Sequence, residues 1–190
     1  MKGMNIMIVG VGGQGTLLAS KILGNTVLSE GFDVKVSEVH GMSQRGGSVV
    51  TYVKFGDAIY SPIIDKGEAD IILAFEQLEA YRALPWLKDG GKIITAEQKI
   101  NPMPVITGAA EYPENIIGKM KEVADVTSLD ALSLAIEAGS AKAVNVVLIG
   151  LMAKNTEIPY EKWVECVKNT VPPKFLEVNL RAFDLGYNFK

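Results

Sequence analysis

Cysteine is almost missing from this chain of 190 residues: Cys166 stands alone. A single thiol excludes an intrachain disulfide and any zinc or iron–sulfur centre built from several cysteines of this polypeptide. Histidine is equally scarce, His40 being the one imidazole. Its ordinary titration range makes it the natural proton-handling candidate. No serine elbow is present, however, and the lone cysteine lies far along the chain, so no catalytic triad is legible around it. Long apolar runs are lacking too. The longest, Val146 to Ala153, falls far short of the ~20 residues of a membrane span. Neither sign of charge dominates: 19 basic against 22 acidic side chains leave a net charge of -3, which gives no basic footprint for nucleic acid. The amino terminus runs into Met4-Asn5-Ile6-Met7-Ile8-Val9 without a signal-peptide pattern, so a soluble protein of the reducing cytoplasm is expected.

What is present suffices for one core. The chain is 48% apolar, shows no repeat or dividing linker, and reads as a single domain, 1–190. A chain of this length buries roughly 70% of its unfolded surface and needs no staple. Ile6 to Val9 is a short apolar run ending in glycines, as a buried parallel strand requires. Thr16 to Glu30 reads as a helix closed by Gly31, and Val34 and Val36 mark a second strand reaching Glu38-Val39-His40. Ser48 to Phe55 alternates, with Val49, Thr51, Val53 and Phe55 on one side. Gly56-Asp57 reads as a hairpin turn returning through Ala58-Ile59-Tyr60. Further strands are expected at Ala69–Phe75, Lys92–Thr95 and Val123–Val126.

Helices are expected at Glu76–Leu84, at Leu129–Glu137 with Ser128 as cap, and in the core at Ala141–Lys154. Two more follow: Tyr160–Lys168, opened by Pro159, and a last one with Leu176, Leu180, Phe183 and Tyr187 on its apolar face. The stretch Asn101–Pro113, with three prolines, reads as extended or irregular. The fold class is α/β: three layers around a mostly parallel, Rossmann-like sheet with an antiparallel hairpin insertion.

Gly10-Val11-Gly12-Gly13-Gln14-Gly15 satisfies G-x-G-x-x-G between a strand and a helix. Glycines permit positive φ and close approach of a ligand, while a helix start offers N–H groups and a positive dipole end. The turn therefore suits phosphate, pyrophosphate or carboxylate. Tight helix–strand packing alone would also explain it. A second loop, His40-Gly41-Met42-Ser43-Gln44-Arg45-Gly46-Gly47, is expected beside it. Arg45 offers a planar fork to an anion, and Gly46 and Gly47 can add backbone N–H groups, with Ser43 and Gln44 between. His40 is a possible catalytic group or a ligand contact, and Cys166 reads as a buried helix residue. Glu76 and Thr95 end strands, where crevice lining and helix capping are equally open.

Three function classes remain on the residues alone. Glu38, near the distance at which a dinucleotide site holds ribose, keeps an NAD(P)-binding oxidoreductase open. Against it stand the additional glycine at Gly13 and the hairpin in place of a crossover helix. A small-ligand binding module without chemistry and a non-autonomous enzyme subunit are the others.

The glycine turn from Ile8 to Gly15 and Arg45-Gly46-Gly47, with Ala69-Asp70, Phe75-Glu76 and Asn145-Val146-Val147 to Gly150, resemble the gamma-type subunit of 2-oxoacid:ferredoxin oxidoreductases. The form Glu38-Val39-His40-Gly41-Met42-Ser43-Gln44-Arg45-Gly46-Gly47 is similar to the indolepyruvate branch. The resemblance implies oxidative decarboxylation of an aryl 2-oxoacid to its acyl-coenzyme A, with electrons passing to ferredoxin. It implies that thiamine diphosphate and iron–sulfur clusters sit on a large alpha partner chain, and that this chain binds no cofactor alone but completes the active-site cleft. An exposed apolar partner contact is then expected, around Ser48–Tyr60 or the Met103 region.

Overall fold

The computed structural model describes residues 2–41 and 46–190. Six strands form one sheet: β1 (Met4–Val11), β2 (Asp33–His40), β3 (Ser48–Gly56), β4 (Ala69–Ala74), β5 (Leu87–Ala96) and β6 (Asp125–Leu129), in the order β2-β3-β1-β4-β5-β6. The helices are α1 (Thr16–Ser29), α2 (Gln77–Ala83), α3 (Met103–Ile106), α4 (Ile116–Lys121), α5 (Ala131–Ala138), α6 (Val144–Ala153), α7 (Tyr160–Thr170) and α8 (Leu176–Tyr187). Strands β1, β4, β5 and β6 run parallel; β3 runs against both β1 and β2.

Alternation along the central strands explains the layers. Ile6 and Ile8 of β1, with Ile71 and Leu73 of β4, enter the larger core under α1, α5, α6, α7 and α8. Met7 and Val9, with Ile72 and Ala74, face the smaller core under α2 and α4. A period of two thus loads both faces, as a sheet covered on both sides requires. The expected face of β3 is the one observed: Val49, Thr51, Val53 and Phe55 are all buried. Helix α6 is buried at every position, in agreement with its lack of a polar stripe.

The hairpin is placed differently from the expectation. Residues 58–60 form no strand, and the reversal lies between β2 and β3, not at Gly56-Asp57. The reason is that β3 already has β1 on one side and β2 on the other, so no open edge remains for a returning strand. Its insertion also separates β2 from β1, where a dinucleotide fold would pair them. Smaller corrections concern ends. The fourth parallel strand is Asp125–Leu129, which absorbs Ser128, and the following helix is capped by Asp130, whose carboxylate accepts from Ser133 N at 3.0 Å. Gly90-Gly91 lies inside β5 instead of before it.

The last helix buries a wider arc than expected: Phe183 is buried with Leu180 and Tyr187 packed against the same core, and Asn179, Ala182 and Gly186 are buried beside them because the small residues settle on α6. A Cβ on Gly186 would stand 1.9 Å from Val147 O, and one on Gly150 would stand 2.2 Å from Phe183 O. Backbone-to-backbone contact, not side-chain size, sets this crossing.

Candidate functional site

The segments that follow β1, β5 and β6 enclose a cleft of about 530 Å³. Gly13, Gln14 and Gly15 form one wall, Gln98 after β5 and Leu132 of α5 a second, and Ala141, Lys142 and Val144 at the start of α6 a third. This is where an open α/β sheet places its ligands. Gly13 and Gly15 have φ of 100° and 84°, so the turn uses conformations that side chains rarely adopt. Helix α1 starts at Thr16 with no side-chain cap and no acidic residue in its first turn. Its first N–H groups lack helical acceptors, and among the described residues no acidic side chain lining the cleft compensates the positive end of its dipole. Among the described residues, Lys142 is the one charged side chain lining the cleft, and it makes no ion pair there. Uncapped helix, left-handed glycines and a cation together favour an anionic guest.

The residues picked out in the sequence divide by role. Gln14 is engaged in the architecture: its Oε1 accepts from Val11 N at 2.7 Å, and its Nε2 donates to Phe75 O at 2.9 Å and to Gln98 Oε1 at 3.3 Å. Gly10 packs against Phe75, where a Cβ would stand 3.1 Å from the ring-bearing carbon. Gly12 N donates to Gly47 O at 2.9 Å, so the second loop does return beside the glycine turn. It does so because β3 pairs with β1, setting Ser48 opposite Val11. Asn145 holds the turn from below, donating through Nδ2 to Gly15 O at 3.2 Å. Gly46 has φ 79° and open space around it. The Ser43, Gln44 and Arg45 candidates lie outside the described residues.

His40 does not line the cleft. It ends the edge strand, with Nε2 2.7 Å from Glu38 Oε1, while Thr51 Oγ1 donates to the other Glu38 oxygen at 2.9 Å. Glu38 is thereby committed to the sheet face, two strands away from β1, which removes the geometric support for a ribose contact. Thr95 is fully buried and bonds Ala96 O. Glu76 caps α2, accepting from Glu79 N at 3.0 Å, and also takes Ile100 N at 3.1 Å and the Tyr112 hydroxyl. Burial and the adjoining carboxylate push the Tyr112 phenol well above its ordinary range. Cys166 is buried in α7, as expected.

Lys142, Gln98 and Leu132 were not singled out in the sequence. Lys142 did leave a signal, as the lone cation in the largely apolar region 131–153. Nothing local marks Gln98 or Leu132.

These features define an α/β protein with a glycine-walled cleft beside the ends of its parallel strands, and comparison with known proteins gives the family. Residues 5–189 match the family model "Pyruvate ferredoxin/flavodoxin oxidoreductase". The chain is 44% identical to the indolepyruvate oxidoreductase subunit IorB of Thermococcus kodakarensis, over 98% of this chain and 95% of that one. It is 45% identical, with the same coverage, to the IorB of Pyrococcus horikoshii. Among solved structures, the gamma subunit of a keto/oxoacid ferredoxin oxidoreductase from Geobacter sulfurreducens superposes with a TM-score of 0.72 at 24% identity, covering 97% of this chain and 96% of that one. The 2-oxoglutarate:ferredoxin oxidoreductase of Magnetococcus marinus superposes at 0.75 and 19% identity, over 98% of this chain but 31% of the longer one. Both share the fold. The chain belongs to the pyruvate ferredoxin/flavodoxin oxidoreductase family, as a small subunit of the 2-oxoacid type.

Proposed function

We propose that this chain serves an indolepyruvate-type enzyme: with a large subunit, it converts an aryl 2-oxoacid and coenzyme A to acyl-coenzyme A and carbon dioxide, passing two electrons to ferredoxin. The relatives of highest identity quoted above are indolepyruvate oxidoreductase subunits, which supports the aryl substrate. Thiamine diphosphate would supply carbanion stabilisation, and clusters the electron path. One buried cysteine cannot ligate a cluster, and no group of three metal-ligating side chains occurs among the described residues. The donor set thus fits a division in which the large partner carries the clusters, and the proposal places thiamine diphosphate there with them. No helix among the described residues is long and apolar enough to cross a membrane, and a cytoplasmic place for the complex follows from its reaction partners.

The observation that carries the local reading is the convergence of the Gly13–Gly15 turn, the uncapped start of α1 and Lys142 on one cleft. Phosphate of coenzyme A and carboxylate of the 2-oxoacid share the chemistry this cradle recognises. Arg45, outside the described residues, is proposed on its sequence position as a further partner for the anion. The Magnetococcus marinus enzyme was solved with 2-oxoglutarate, coenzyme A and succinyl-CoA bound, which agrees with a two-anion reaction in this fold.

The test is reconstitution with the large subunit, followed by dye or ferredoxin reduction dependent on indolepyruvate and coenzyme A. Lys142→Ala and Arg45→Ala are each expected to remove a charge-assisted contact of roughly 1.5–3 kcal/mol, or about 10- to 150-fold in affinity. A raised KM for coenzyme A alone assigns the cradle to its phosphates, and a raised KM for the 2-oxoacid alone assigns it to the carboxylate. Unchanged values for both overturn the cradle. Turnover of a nicotinamide coenzyme by the isolated chain would overturn the assignment itself.

A further inference from the structure

Gln98 stands on the second wall of the cleft, half-buried, in the segment that leaves β5. The backbone around it is held at three points. Glu97 N donates to Leu129 O at 2.9 Å, Gln77 N donates to Gln98 O at 3.2 Å, and Gln77 Nε2 donates to Glu97 O at 2.9 Å. Gln77 is itself buried at the start of α2. A side chain on so fixed a base is in place before a guest arrives, which lowers the ordering cost of binding.

The sense of its amide is fixed as well. Val11 N–H can only donate, so the Gln14 atom 2.7 Å from it is the carbonyl oxygen. Phe75 O can only accept, so the atom 2.9 Å from it is the Gln14 amino group. That amino group also reaches Gln98 at 3.3 Å, and there it meets an oxygen, Oε1. Two backbone groups thus set the direction of two side-chain amides in series. The Gln98 NH2 group is what remains. It finds no acceptor among the described residues, yet it belongs to a side chain that lines the cleft. An amide whose oxygen is engaged offers a guest hydrogen only.

We infer that Gln98 is a guest-contacting donor of this cleft, its NH2 group bonding an oxygen of the bound carboxylate or phosphate as Lys142 does from the third wall. The relay gives this donor a preference. A guest oxygen that only accepts fits it, whereas a guest N–H or O–H sets donor against donor and leaves both unpaired. Gln14 acts behind it as a positioning residue, since both ends of its amide are taken by Val11, Phe75 and Gln98. The inference rests on the reading of this cleft as the enzyme's anion site, and its test keeps the two apart.

The experiment is steady-state kinetics of the complex reconstituted with the large subunit, with coenzyme A and indolepyruvate varied separately. The variants are Gln98→Met, Gln98→Glu and Lys142→Ala, each also melted by calorimetry. Gln98→Glu keeps an oxygen for Gln14 but has no NH2 group, whereas Gln98→Met keeps neither. Loss of the donor should raise the KM of one substrate about 10- to 100-fold in both, most in Gln98→Glu, whose charge opposes the anion. The other KM and kcat should stay within twofold, and Gln98→Glu should melt as wild type does. A rise for coenzyme A alone names its phosphates as the guest; a rise for indolepyruvate alone names the carboxylate. Wild-type kinetics in Gln98→Glu beside an impaired Gln98→Met would overturn the inference, because only the bond from Gln14 would then matter. Equal rises for both substrates with a lowered Tm would overturn it as general distortion of the cleft. A raised KM in Lys142→Ala with wild-type values in both Gln98 variants overturns the inference alone and leaves the anion site standing. Absence of turnover in the wild-type complex overturns the subunit reading itself.

Discussion

Gly13→Ala separates backbone strain from ligand approach. Gly13 has φ 100°, and a Cβ added there would meet nothing within 4 Å. The methyl group therefore fits the free chain but projects into the cleft beside Gln14 and Gly15. Its cost without ligand is conformational, about 1–2 kcal/mol for an L-residue at positive φ. For a chain of this size that lowers Tm by roughly 2–8 °C. Gly31→Ala is the matched control: φ is 86°, a Cβ again meets nothing within 4 Å, and the position follows α1 at its end remote from the cleft. Both variants should lose similar stability. Only Gly13→Ala should also hold an anion away from the turn's N–H groups, losing roughly 1.5–3 kcal/mol of charge-assisted bonding, or about 10- to 150-fold in KM. The assay is steady-state kinetics of the reconstituted complex, with coenzyme A and 2-oxoacid varied separately, beside calorimetric melting of each subunit. Equal KM values for the two variants, at equal loss of Tm, would refute the idea that a ligand approaches this backbone.

Two other perturbations test the scaffold. Gly186→Ala drives a methyl carbon against Val147 O, so α8 must move off α6; overpacking of this kind costs about 1–3 kcal/mol or more, seen as a fall in Tm of roughly 2–12 °C. An unchanged melting curve would show that the two helices are not in backbone contact. At alkaline pH, Tyr160 donates to Asp184 Oδ1 at 2.5 Å, and this bond, with burial, raises its phenol from 10.0 to about 12. The unfolded chain then releases this proton first. Stability is present in full below pH 10 and falls as pH rises toward about 12. Tyr160→Phe should flatten that part of the pH–stability curve, and an identical curve in variant and wild type would remove the linkage.

Much of the architecture was legible because it is written in local pattern. The apolar run before Gly10, the end of α1 at Gly31, the buried alternation of β3 and the unstriped α6 each follow from a few adjacent residues. Errors arose where the deciding partner is distant. Alternation shows which face of β3 is apolar, but it cannot show that β1 and β2 lie on its two sides, which is what denies residues 58–60 a place in the sheet. The apolar period of the last helix found Phe183, Leu180 and Tyr187 on the core side, but the close approach of two backbones at Gly186 and Gly150, which buries Asn179 and Ala182 as well, has no local signal.

The candidate site divides the same way. Its glycine turn was visible in six consecutive residues, because positive φ and bare backbone are properties of glycine itself. The cation facing that turn was not, since Lys142 stands far along the chain and reaches the cleft only through the packing of α6 beside α1, with Asn145 bonded to Gly15 across 130 positions. Sequence determined what each short segment is able to be. The tertiary structure decided which segments meet, because burial is shared by distant residues and no local signal carries its outcome.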